Sequence, residues 1–239
     1  MIYLAPAFVP DITKRFWEEI LIKPKILQSM AKTEYSNNII LKSYLIFGLQ
    51  GSGKTTLANS IVKKYYDAYG DENVNAIESD HGNIEYLISM LEDKVVNILF
   101  ADNITLQDIP KEAIRKYFSI RHILGDFYPK RKKKGLIIFL FGLHRIHGMP
   151  AELRTNLDGI IIKDSALFGW DRSFLKRLVG ENVLKSFDYI SRYRLSDKRL
   201  YKIGYFYSKV NSGFFKSNIE KKYYFNDFSS PEYTGDIEI

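Results

Sequence analysis

The sequence predicts an α/β fold: a mainly parallel sheet flanked by helices, with an N-terminal extension and a β-rich C-terminal tail. Two observations predict it. Several short runs are almost entirely apolar and alternate with segments of helical spacing, the pattern of strands buried on both faces. The first of these runs also closes in a glycine-rich loop, GLQGSGKTT (48–56), with helical spacing immediately after it.

In chain order, ITKRFWEEILIKPKIL (12–27) is amphipathic with a break at Pro24, so residues 1–40 form a partly helical extension. SYLIFG (43–48) is the first core strand, and Lys54 to Tyr69 carries Leu57, Ile61, Val62 and Tyr65 at helical spacing. VNAIE (74–78) is the second strand, followed by a helical pattern through NIEYLISMLED (83–93). VVNILFAD (95–102) is the third, and Gln107 to Leu124 reads as helix. GLIIFLFG (135–142) and DGIIIKD (158–164) are the fourth and fifth strands, closing a core over 41–165. Over 166–239, Asp171 to Tyr189 is helical. Arg199 to Phe225, rich in Tyr, Phe and Lys, reads as strands with a turn at Asn211-Ser212-Gly213. The 239 residues are therefore read as one domain.

Bulk properties narrow the class. There is no cysteine, which removes disulfides, thiolate metal sites and cysteine nucleophiles together. No apolar run has the length of a membrane span, and no basic segment precedes the apolar residues at the N-terminus, so a cytoplasmic protein is expected. The formal net charge of +7 serves solubility, and it is also what a polyanion binder needs.

The glycine-rich loop fits G-x-x-x-x-G-K-S/T, with Gly48, Gly53, Lys54 and Thr55 at the fixed positions. Gly48, Gly51 and Gly53 let the chain curl so that backbone N–H groups, including those of Ser52 and Thr56, point inward at a phosphate. The following helix presents the positive end of its dipole there. Lys54 would reach the terminal phosphates of ATP, and Thr55 would place a hydroxyl on Mg²⁺.

Such a loop requires a carboxylate at the end of a nearby strand to hold Mg²⁺. Asp102 closes the third strand; its alternative role is to cap the helix after it. The next residue is Asn103, not an acid, so the base that activates water has to come from elsewhere. Glu78 ends the second strand on the same edge of the sheet and is the best candidate, the alternative being a surface acid in the Glu-Ser-Asp-His loop. His144 ends the fourth strand with Arg145 beside it. A neutral imidazole there could sense the γ-phosphate, or be a hydrogen-bonded loop residue.

With IRKYFSIRH (Arg121, His122), the strand LIIFLFGLH, MPAELRTNLD (Arg154, Asn156) and GIIIKD in this order, the chain resembles the FtsK–HerA superfamily, especially poxvirus-like and archaeal-virus genome-packaging ATPases. The likeness covers Leu45 to Asp164, with two departures: the sensor, commonly glutamine, is His144, and the expected acidic pair is Asp102-Asn103. The resemblance implies a ring, pentameric or hexameric, that pumps double-stranded DNA, with capsid or portal-vertex proteins as partners. It also implies an arginine from the neighbouring subunit at each site, for which Arg145, Arg154 and Arg121 are candidates. The run Lys130, Arg131, Lys132, Lys133 and Lys134 has the composition of a DNA-gripping loop, or of a solvated hairpin tip. Other readings are an AAA+-type initiator or helicase loader, a nucleotide kinase, and a non-catalytic nucleotide switch. The first calls for a helical lid after the fifth strand, and the strand-like tail argues against it.

Overall fold

The computed structural model describes residues 10–30, 39–79, 83–102, 104, 112, 115–117, 119, 135–145, 156–164, 169–193, 196–220 and 222–226. Five parallel strands form the core of the sheet: β1 (Ile39–Phe47), β2 (Val74–Ser79), β3 (Val96–Ala101), β4 (Gly135–Leu143) and β5 (Gly159–Ile162). Two antiparallel strands extend it beyond β5, β6 (Ile203–Ser208) and β7 (Ser212–Lys216), in the order β2-β3-β4-β1-β5-β6-β7. The loop-bearing strand β1 is central, with β4 on one side and β5 on the other.

Strand alternation divides the interior into two layers. Tyr44, Ile46, Ile98, Phe100, Ile138 and Leu140 point to the face covered by α3 (Lys54–Tyr69) and by α1 (Thr13–Ile20) and α2 (Pro24–Ser29). Leu45, Phe47, Leu99, Phe139 and Phe141 point to the opposite face. There they meet α4 (Ile84–Ser89), α5 (Gly169–Val179) and α6 (Glu181–Tyr193). Burying Leu57 and Ile61 of α3 completely contributes about 1.5–3 kcal/mol each. The N-terminal extension is stitched into the first layer: Phe16 stacks on Phe215 with ring centres 3.7 Å apart, and Tyr65 Oη donates to the Ile20 carbonyl at 2.6 Å.

Several boundaries differ from the sequence reading. Among the described residues, the tail expected as strands from Arg199 to Phe225 opens with a 3-10 turn (Lys198–Lys202) and holds strands only as β6 and β7, and the helical pattern expected over 83–93 ends at Ser89. Strand β1 begins at Ile39, where the apolar Ile39, Ile40 and Leu41 already pair with β4 from Gly135 onward, and its polar middle is held by Asp158: Lys42 Nζ and Ser43 N donate to the two carboxylate oxygens at 2.7 and 2.8 Å. The single helix expected over 171–189 is two, broken at Gly180, whose φ of +87° lies in the left-handed region. The turn between β6 and β7 comes earlier, at Lys209–Asn211, where Ser208 Oγ accepts from Val210 N and Asn211 N; Ser212 and Gly213 already belong to β7. Of the helix expected over 107–124, the described residues Glu112, Arg115–Tyr117 and Ser119 are helical.

Beyond β7 the chain crosses α3 and reaches the opposite edge of the sheet. Ser60 Oγ donates to the Asn218 carbonyl, Asn59 Nδ2 donates to the Lys222 carbonyl, and Asn59 Oδ1 accepts from Tyr224 N. Phe225 then stacks on Phe100, and Asn226 bridges to β2. Asn59 is buried and closes two backbone groups, so Asn59→Ala leaves both without it. The expected loss is about 2 kcal/mol of stability, seen as an earlier urea midpoint, with faster proteolysis inside residues 217–226.

Candidate functional site

The site is built where β1 turns into α3. Gly48 N donates to the Leu143 carbonyl at 3.0 Å, tying the start of the loop to the end of β4. A Cβ on Gly48 would lie 2.4 Å from Ser52 Oγ, so only glycine fits there. Gly51 and Gly53 have φ of +71° and +88°, which reverses the chain and lets α3 start at Lys54.

Lys54 is only 5% exposed, and its Nζ donates to the carbonyls of Gly48 at 3.0 Å and Leu49 at 3.4 Å. Burial pulls its ammonium below the usual lysine range, while the charges of Asp102 and Asp164 hold it up. His144 Nδ1 lies 3.2 Å from the same Nζ. Burial and the neighbouring Lys54 push the His144 imidazole down, against the pull of Asp102 and the Gly48 carbonyl, so the ring is neutral at pH 7.

Thr55 Oγ1 donates to Asp102 Oδ2 at 2.8 Å. Asp102 is fixed by its backbone, since its N–H donates to the Ser79 carbonyl at 3.0 Å. Gly142 on β4 makes room for the carboxylate: a Cβ there would lie 2.5 Å from Asp102 Oδ1. A glycine loop, a buried lysine at its lip and a threonine–aspartate oxygen pair therefore converge on one point. The fold is that of a P-loop NTPase.

The P-loop residues fit a nucleotide and its metal ion. Ser52 Oγ is buried and has no hydrogen-bond partner, a hydroxyl aimed into the loop. Thr55 and Asp102 offer two adjacent hard oxygens, the donors Mg²⁺ takes together with phosphate and water.

Of the other expected site residues, Glu78 is half-buried near the end of β2, on the outermost strand, and Arg145 is exposed just beyond β4. Arg121, Arg154 and the run Lys130–Lys134 lie outside the described residues. Three neighbours of the P-loop went unread. Lys163 and Asp164, at the end of β5, are buried at 0% and 3% exposure. Ser191 of α6 donates to Asp164, which connects the second helical layer to the lysine end of the loop. The signal was present as a Lys-Asp pair closing an apolar strand. Tyr201 lies against Gly53, and nothing in its local sequence marks it.

No protein-family profile matches the chain, and no curated protein matches it. Solved structures do. The genome-packaging NTPase B204 of Sulfolobus turreted icosahedral virus 2, in complex with ATP-gammaS, is 9% identical over 73% of this chain and 96% of that one, with a TM-score of 0.44. EssC (ATPases 2 and 3) of Geobacillus thermodenitrificans is 16% identical over 78% of this chain and 40% of its own, also at 0.44. The pCW3 conjugation coupling protein TcpA, with ATPgS, is 10% identical over 77% and 61%, at 0.41.

Proposed function

We propose that this chain hydrolyses ATP and uses the energy to move double-stranded DNA, as the genome-packaging motor of a virus. The observation that carries the ATPase reading is the convergence of Lys54, His144, Thr55 and Asp102 on the mouth of the P-loop. On binding, Lys54 exchanges the Gly48 and Leu49 carbonyls for phosphate oxygens, the partners its charge prefers. Thr55 and Asp102 would hold Mg²⁺, which would supply positive charge to the terminal phosphates. The neutral His144 ring reports whether the γ-phosphate is present, and Glu78 takes a proton from the attacking water.

The DNA reading rests on the sequence resemblance and on the net charge of +7. In this proposal the Lys130–Lys134 run grips the phosphate backbone without reading sequence, and Arg145 or Arg154 completes the site of a neighbouring copy in a ring of five or six. Such a motor works in the host cytoplasm at a capsid vertex. Among the described residues no helix is long and apolar enough to cross a membrane. After β5 the chain does form a helical pair, but β6 and β7 then return to the sheet beside β5, unlike the terminal helical lid that an initiator ATPase requires.

Steady-state ATP hydrolysis with and without linear double-stranded DNA tests the proposal. The expected result is several-fold stimulation by duplex DNA that weakens steeply with added salt. Turnover indifferent to DNA would sink the motor and leave an ATPase or kinase acting on something small.

A further inference from the structure

The triphosphate end of the site lies to one side of β1. Asp102 follows β3 and His144 follows β4, and both lie on the same side of the loop-bearing strand. A nucleotide whose terminal phosphate and metal ion face β3 and β4 extends its nucleoside the other way, past the start of α3 toward β5 and β6. A second set of residues is built on that side.

Lys163 follows β5, and its N–H donates to the Phe47 carbonyl at 2.7 Å, continuing the β1–β5 ladder into the base of the loop. Its side chain passes beneath the loop: Cβ is 3.1 Å from where a Cβ of Gly48 would stand, and Cε 3.8 Å from that of Gly53. Fully buried, its ammonium reaches the turn before β6, donating to the carbonyls of Tyr201 at 2.7 Å and Ile203 at 2.9 Å. A lysine with no exposed surface, spent on backbone carbonyls, fixes that turn against the P-loop. What it fixes in place is Tyr201: the carbonyl lies 3.6 Å and ring carbon Cδ1 3.7 Å from the position a Cβ would take on Gly53. The ring is half-buried, standing at the surface beside the N-terminus of α3.

We infer that Tyr201 is the platform on which the nucleobase stacks, held at the P-loop by Lys163; this rests on the nucleotide reading above. An aromatic ring offers a π-face to any base, so the contact adds affinity without strong base selectivity. Lys163 is a positioning residue, acting through the backbone of Tyr201.

The test separates the base from the phosphates. Mg²⁺-ATP and inorganic tripolyphosphate, which has no base, are titrated by calorimetry into the full chain and its Tyr201→Ala, Tyr201→Leu and Tyr201→Phe variants. The expected result is an affinity for ATP about tenfold weaker in the alanine and leucine variants, on the order of a single base stack. Tripolyphosphate affinity is unchanged in both, which also reports an intact P-loop, and phenylalanine stays within about twofold for both ligands. Lys163→Met follows the alanine variant for ATP. Unchanged ATP affinity in Tyr201→Ala and Tyr201→Leu overturns the inference, and so does a parallel loss of tripolyphosphate binding, which makes Tyr201 a scaffold of the loop. A native chain that takes up neither ligand fails the nucleotide reading itself.

Discussion

Replacing Lys54 with alanine lowers ATP turnover by about 100-fold or more, measured at saturating Mg²⁺-ATP. The side chain is nearly sealed in the loop, and its ammonium donates to two loop carbonyls, with Asp102 and Asp164 as its nearby negative charges. Truncation removes the cation at the lip of the loop while sparing the Thr55–Asp102 pair. Burial works against the Lys54 charge and offsets the loss of its two carbonyl contacts, so the thermal midpoint is expected to stay nearly level. Loss of activity without loss of stability separates a phosphate-binding role from a structural one. Lys54→Arg does not rescue, since a planar guanidinium fork cannot occupy the space in which one ammonium touches two carbonyls and an imidazole. Near-normal turnover in Lys54→Ala would refute the assignment of the loop.

Much of this was legible in the sequence because it is local. Strands buried on both faces are predominantly apolar, which exposed β2, β3 and β4 directly; a glycine loop between such a strand and a helix declares its own geometry. Asp102 was readable because an acid at the end of an apolar strand has few other reasons to be there. The rest depends on distant partners. Gly142 looked like one more strand residue, yet its missing side chain is what admits the Asp102 carboxylate. Gly180 splits a helix whose apolar spacing runs on across the break. The joining of Lys163 to Tyr201 spans 38 residues, and the strap over α3 joins Asn59 to residues 163 and 165 positions away. Strand order, which decides which side of the loop faces Asp102 and which faces Tyr201, has no local signature at all.

Glu78→Gln is expected to cut hydrolysis by about 100-fold or more while leaving Mg²⁺-ATP binding within about threefold. The substitution keeps shape and removes the proton acceptor, so binding and chemistry separate cleanly if Glu78 is the base. Position both favours and endangers the assignment. Glu78 pairs with Phe100, two residues before Asp102, and the next residue, Ser79, accepts the Asp102 N–H. The candidate base and the candidate metal-binding carboxylate thus share one rigid strand pair, and alternation puts Glu78 on the α3 face with Ala76. Against this, β2 is three strand spacings from β1, roughly 14 Å at the usual interval. The distance is bridged only if the γ-phosphate projects from the loop over β4 toward β3, as the roles proposed for His144 and Asp102 require. Asp102→Asn provides the contrast, since it weakens the dependence of binding on Mg²⁺, which Glu78→Gln leaves intact. Should Glu78→Gln turn over at the native rate, the acceptor lies past the end of β2, at Asp80, or on an adjacent chain, and the outer strand is only a support for Asp102.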